Sequence, residues 1–98
     1  MLSTIPIELK EINKDSIDKE ILRAGIIAEL DAINLYEQMA AQAKNESIRA
    51  SLLDVAKEEK THVGEFQALL LSLDHEQADE LEHGRREVQE LAGKKLRI

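Results

Sequence analysis

A glutamate and a histidine three residues apart, Glu59 and His62, interrupt an otherwise apolar stripe. Leu52, Val55, Glu59, His62, Phe66, Leu69 and Leu73 step by three and four, as one face of an α-helix does. The same interruption occurs once upstream, where Glu29 stands within Leu22, Ile26, Glu29, Ile33, Tyr36 and Ala40. An unpaired carboxylate on a buried face costs on the order of several kcal/mol, so both interruptions require a compensating partner. One divalent cation compensates all three groups together. The i,i+3 step sets the His62 nitrogen beside the Glu59 carboxylate, and two carboxylates with an imidazole suit iron or manganese. A solitary histidine on an apolar face is ordinarily a hydrogen-bonded core residue. The spacing from Glu59, with Glu29 opposite, makes these three read as metal ligands.

The composition narrows the chemistry further. At 98 residues the chain is near the size where a single core is only marginally self-sufficient, so association with other copies is expected. It has no cysteine, which removes disulfides, thiolate zinc sites, iron–sulfur clusters and cysteine nucleophiles. A net charge of −7, with one Tyr, one Phe and no Trp, argues against nucleic acid, whose recognition needs basic and aromatic surface. No run of about 18 apolar residues and no basic, apolar leader occurs, so the reading is a cytoplasmic chain without a membrane partner.

The elements that must position these residues are helices. Pro6 is the single proline, and Gly25, Gly64, Gly84 and Gly93 are the only glycines, so breakers are sparse. Residues 1–15 read as an irregular lead-in, 16–93 as one helical domain and 94–98 as a tail. Asp15 or Ser16 is placed to cap a first helix running to about Ala43, and Asn45 or Ser47 a second running to about Leu73. The short connection makes an antiparallel hairpin. Asp74 followed by Gln77 resembles a capping box opening a shorter third helix that Gly93 closes. Its thin stripe of Ala78, Leu81, Val88 and Leu91, broken by Arg85, predicts packing on a partner or a rim. Leu69, Leu70 and Leu71 are apolar on more than one face, which also favours an interface.

Glu29 and Glu59 lie nearly equidistant from Asn45 on either side. At a rise of about 1.5 Å per residue both stand some 20 to 25 Å from the turn and face each other across the hairpin. The count then decides the architecture. A four-helix di-iron site takes two Glu and two Glu-x-x-His motifs, and this chain supplies one of each. Two-fold dimerisation therefore completes the site. Glu80 and His83 match the same string, but Glu82, Gly84, Arg85 and Arg86 surround them with a polar surface. They, like His75, are expected to be exposed.

The segment Glu29-Leu30-Asp31-Ala32-Ile33-Asn34-Leu35-Tyr36, followed by Glu59 and His62, resembles the encapsulated ferritins, helical-hairpin proteins housed in encapsulin nanocompartments. The resemblance spans roughly residues 20 to 93. Glu29, Asp31, Tyr36, Glu59 and His62 match the family pattern, while Leu35 departs from its first aromatic and Ala28 from an acid that some members carry. It implies an all-α, ferritin-like fold and a di-iron ferroxidase centre at a subunit interface, with Glu29, Glu59 and His62 as ligands and Glu59 bridging the irons. It also implies Tyr36 beside the site and Asp31 on a route for incoming ions. Glu58 falls one residue off the stripe, where it faces water or orients Lys60 or His62. A ring of dimers, often a decamer, inside an encapsulin shell is the implied setting, and iron storage or detoxification the implied purpose.

Two other functions fit parts of the same pattern. A non-catalytic helical assembly or adaptor protein can use polar core residues to set pairing register. A rubrerythrin-like peroxide reductase can use the same ligand set, although its usual rubredoxin donor requires the cysteines this chain lacks.

Overall fold

The computed structural model describes residues 16–93, so the proposed lead-in and tail, with Asp15, lie outside the described residues. The chain forms three helices: α1 (Ile17–Gln42), α2 (Glu46–Leu73) and α3 (His75–Ala92). The expected boundaries hold to within a residue or two, and the fold is all-α over the described residues.

Local chemistry explains each junction. Ser16 occupies the N-cap position of α1, yet its side chain makes no capping bond. At the hairpin turn the cap is Asn45 rather than Ser47, its side-chain oxygen accepting from the Ile48 N–H at 3.0 Å. The C-terminus of α1 has no basic residue in its last turn. Arg49 supplies that charge from α2, donating to the Ala43 carbonyl at 2.6 Å, the Ala40 carbonyl at 3.3 Å and Glu46 at 2.7 Å. One guanidinium thus satisfies two end-of-helix carbonyls and closes the turn.

Asp74 is the single residue between α2 and α3. Its N–H donates to the Leu70 carbonyl at 2.9 Å, ending α2, and its carboxylate accepts from the Gln77 N–H at 3.0 Å, opening α3. The same carboxylate pairs with Arg23 of α1 at 2.8 Å. The Gln77 hydrogen bond is the main reason its carboxyl lies below the ordinary aspartate range, with Arg23 and Lys19 adding to it against the opposing effect of burial.

Packing is concentrated between α1 and α2. Among the described residues the buried apolar side chains are Ile33, Ala40, Ala56 and Leu70. The stripe along α2 corrects the expectation: Leu70 is 5% exposed, whereas Leu69 is 56% exposed. Leu73 is also exposed. The inward face runs through Ala56, Glu59, Val63, Phe66 and Leu70, and the second leucine of the triplet, rather than the first, turns toward α1. Helix α3 buries none of its residues, and Leu81, Val88 and Leu91 stay exposed, in agreement with a rim position. The molecule is flat, measuring 47 × 44 × 19 Å. No helix among the described residues is long and apolar enough to cross a membrane.

Candidate metal centre

The register of the hairpin places Glu29 of α1 against Glu59 and His62 of α2. One ligating atom from each lies within 4.8 Å of the others, and this is the only such cluster among the described residues. Neighbouring donors on an ion bound at about 2.0–2.2 Å stand roughly 3–4 Å apart, so small side-chain rotations bring the three onto one ion. His62 Nδ1 is 3.5 Å from Glu29 Oε2 and 3.5 Å from Glu59 Oε2.

The burial of these groups is unequal. The Glu29 and Glu59 side chains are 17% and 19% exposed, and His62 is 42% exposed. The sequence led us to expect three buried groups; the imidazole instead opens to one face of the hairpin. Glu29 Oε2 is wholly buried and has no hydrogen-bond partner. The 3.5 Å contact with His62 is an ion-pair distance without hydrogen-bond geometry, so it does not satisfy that oxygen. An orphaned carboxylate oxygen beside a second carboxylate and an imidazole is the arrangement that a cation stabilises, so the residues fit a divalent metal of the iron or manganese type.

The remaining residues singled out in the sequence take different places. Tyr36 is half-buried, two turns beyond Glu29 on the inward side of α1. Asp31 is half-buried and engaged in an interaction of its own. Glu58 is exposed and does not join the cluster. Lys60 instead crosses to α1 and pairs with Glu37 at 2.9 Å. Its long side chain reaches off the rung set by the backbone, which is why spacing alone did not pair the two.

His83 of the second Glu-x-x-His string is exposed, as expected. Its Nδ1 lies 3.3 Å from Glu80 and its Nε2 3.0 Å from Glu87, so carboxylates occupy both ring nitrogens. Beside it, hydrogen bonding from Arg85 is the main cause that draws the Glu82 carboxyl down to about 2, with Arg86 contributing. His75 is exposed as expected.

Comparison with known proteins agrees with this architecture. A family profile described as Rubrerythrin matches residues 20–95. A ferritin-like–encapsulin shell fusion protein of Pyrococcus furiosus is 68% identical over 74 residues, which cover 76% of this chain and 21% of that protein. The encapsulin nanocompartment cargo protein EncC of Myxococcus xanthus is 46% identical over 57 residues, covering 58% of this chain and 44% of that protein. The chain thus spans less than half the length of either relative. The crystal structure of an encapsulated ferritin domain from Pyrococcus furiosus superposes with a TM-score of 0.81 at 54% identity, covering 95% of this chain and 100% of that one. The chain therefore belongs to the Rubrerythrin family, and the resemblance to the encapsulated ferritins read from Glu29 to His62 holds.

Proposed function

We propose that the chain is a ferroxidase that binds Fe(II) at Glu29, Glu59 and His62 and passes electrons to dioxygen, each subunit supplying half of a two-iron site. The observation that carries this reading is the buried Glu29 oxygen left without a hydrogen-bond donor, with a second carboxylate and an imidazole within 4.8 Å. Three donors leave the coordination of two ions incomplete. The exposed side of His62 leaves room for a two-fold related copy to complete it.

The carboxylates favour Fe(III) over Fe(II), because fixed negative charge stabilises the higher-charged ion more. Each Fe(II) gives up one electron. Two electrons and two protons convert dioxygen to hydrogen peroxide, and four of each convert it to water. By the family resemblance, Glu59 would be the ligand shared by both irons, Tyr36 would stand beside the site, and Asp31 would lie on the route of incoming ions. Residues 16–93 form the working unit, and copies assemble as dimers within a ring such as a decamer. The relatives named for encapsulin shells and cargo support a place inside such a shell, where oxidised iron is stored. Membership of the Rubrerythrin family also supports a second reading, in which peroxide is the oxidant at the same site.

The test is anaerobic Fe(II) loading followed by stopped-flow oxidation with dioxygen or with peroxide, on the parent, Glu59→Gln and His62→Ala. Both variants are expected to bind less iron per chain and to oxidise it at the background rate. A His62→Ala protein with parent rate and parent iron content refutes the assignment, and the ratio of oxidant consumed to iron oxidised separates the two oxidants.

A further inference from the structure

One glycine has its missing side chain replaced by a neighbour. A Cβ built on Gly25 meets the Phe66 ring at 3.3 Å from both Cδ2 and Cε2 and 3.6 Å from Cγ, whereas one on Gly64 or Gly84 meets nothing within 4 Å. The backbone does not require glycine at Gly25, since Gly93 is the only described residue of its type with positive φ. Glycine weakens a helix interior relative to alanine. The contact with Phe66 is therefore the structural feature that sets Gly25 apart.

Gly25 stands four residues before Glu29 on α1, and Phe66 four residues after His62 on α2. On antiparallel helices this puts the contact one turn, about 6 Å, from the three-residue cluster. Carbon atoms pack best at about 3.5–4.0 Å, so an alanine methyl must push the ring or the helices apart by a few tenths of an ångström. Metal sites hold their donor distances to within about 0.2 Å. A displacement of that size between α1 and α2 falls directly on the separation of Glu29 from Glu59 and His62.

We propose that Gly25 is a positioning residue for the candidate metal centre: by letting the Phe66 ring lie on the α1 backbone, it fixes the distance between the helices that carry Glu29 and the Glu59–His62 pair. This rests on the ligand assignment made above. Gly25 does not touch the ion and acts through Phe66.

The probe is Co(II), a redox-stable stand-in for Fe(II), followed by calorimetric titration and by its visible absorption spectrum. The proteins are the parent, Gly25→Ala, Gly64→Ala, Phe66→Leu, the Gly25→Ala/Phe66→Leu double variant and Glu59→Gln, each also checked by thermal unfolding. Gly25→Ala is expected to lose about tenfold in Co(II) affinity, within the range for residues that orient ligands, and to show a shifted spectrum while remaining folded. Gly64→Ala, with open space around it, should match the parent. The smaller leucine should restore affinity and spectrum in the double variant toward those of Phe66→Leu alone. If Gly25→Ala binds Co(II) with the parent affinity and spectrum, the positioning role is wrong and the ligand assignment survives. The role is also wrong if the loss is the same in the Phe66→Leu background, because the effect then does not pass through the ring. A parent protein that binds no Co(II), or an Glu59→Gln variant that binds it as the parent does, overturns the ligand assignment and this proposal with it.

Discussion

Glu29→Gln separates a ligand from a structural residue, because the two roles predict opposite effects on the metal-free protein. The Glu29 and Glu59 ligating oxygens lie within 4.8 Å of each other, and their side chains are 17% and 19% exposed. Two unit charges at that separation repel by about 3 kcal/mol at an effective dielectric of ~20, and solvent access from the His62 side reduces this toward about 1 kcal/mol. The amide removes the repulsion while nearly preserving shape. With no hydrogen bond at Glu29 Oε2 to lose, the metal-free protein should gain about 1 kcal/mol or more near neutral pH. For a domain of this size that is a rise in Tm of roughly 4–8 °C. Iron binding moves the other way: loss of an anionic ligand should lower affinity by at least the roughly 10–100-fold seen when groups merely orienting a ligand are removed. The assay is thermal unfolding at matched protein concentration, with and without anaerobic Fe(II), at neutral pH. A Glu29→Gln protein that is markedly less stable without metal, yet binds iron as the parent does, would show that Glu29 is a structural hydrogen-bonding residue.

Two further outcomes are expected. On the proposal that each chain holds half of the ligand set, a folded, dissociated monomer should be inactive, and metal that binds only the assembled form should drive association by mass action; light scattering and stopped-flow oxidation on the same samples check this, and parent activity per chain in a monomer refutes it. The Asp74 carboxyl is held below its ordinary range chiefly by the Gln77 N–H, so its contribution is complete above the unfolded aspartate pKa and is lost as pH falls through the lower folded value; Asp74→Ala should lower Tm at neutral pH and flatten the acid limb of the stability profile, and an unchanged acid limb would remove it from the junction of the three helices.

The flat shape bears on the proposed assembly. Ile21, Leu30, Ile48, Leu53, Leu69, Leu73 and Leu91 all remain exposed, while the buried apolar set is small and includes two alanines. A hairpin buries one stripe of each helix and leaves the flanks to water, so the proposed assembly would add stability as well as complete the centre.

Much of this was determined by the amino-acid sequence alone. Helical period, sparse breakers and the caps at Asn45 and Asp74 set three helices and their ends, because capping and periodicity are local properties. The near-equal distances of Glu29 and Glu59 from the turn, with His62 one step on, brought the cluster together, because a rigid helix converts sequence spacing into distance. What the tertiary structure decided is rotation and contact. Leu69, Leu70 and Leu71 are equally apolar, so periodicity admits more than one inward face, and the choice of Leu70 follows from how α2 packs against α1. Ala56 is 1% exposed, although in the sequence so small a side chain carries little hydrophobic signal. Asp74 reads as a cap in the sequence, but its bond to Arg23 spans α1 and exists only once the hairpin has closed. Gly25 reads as a weak point in a helix until the Phe66 ring is placed against it. Each of these depends on atoms distant in the chain, whose approach is settled by packing rather than by local preference.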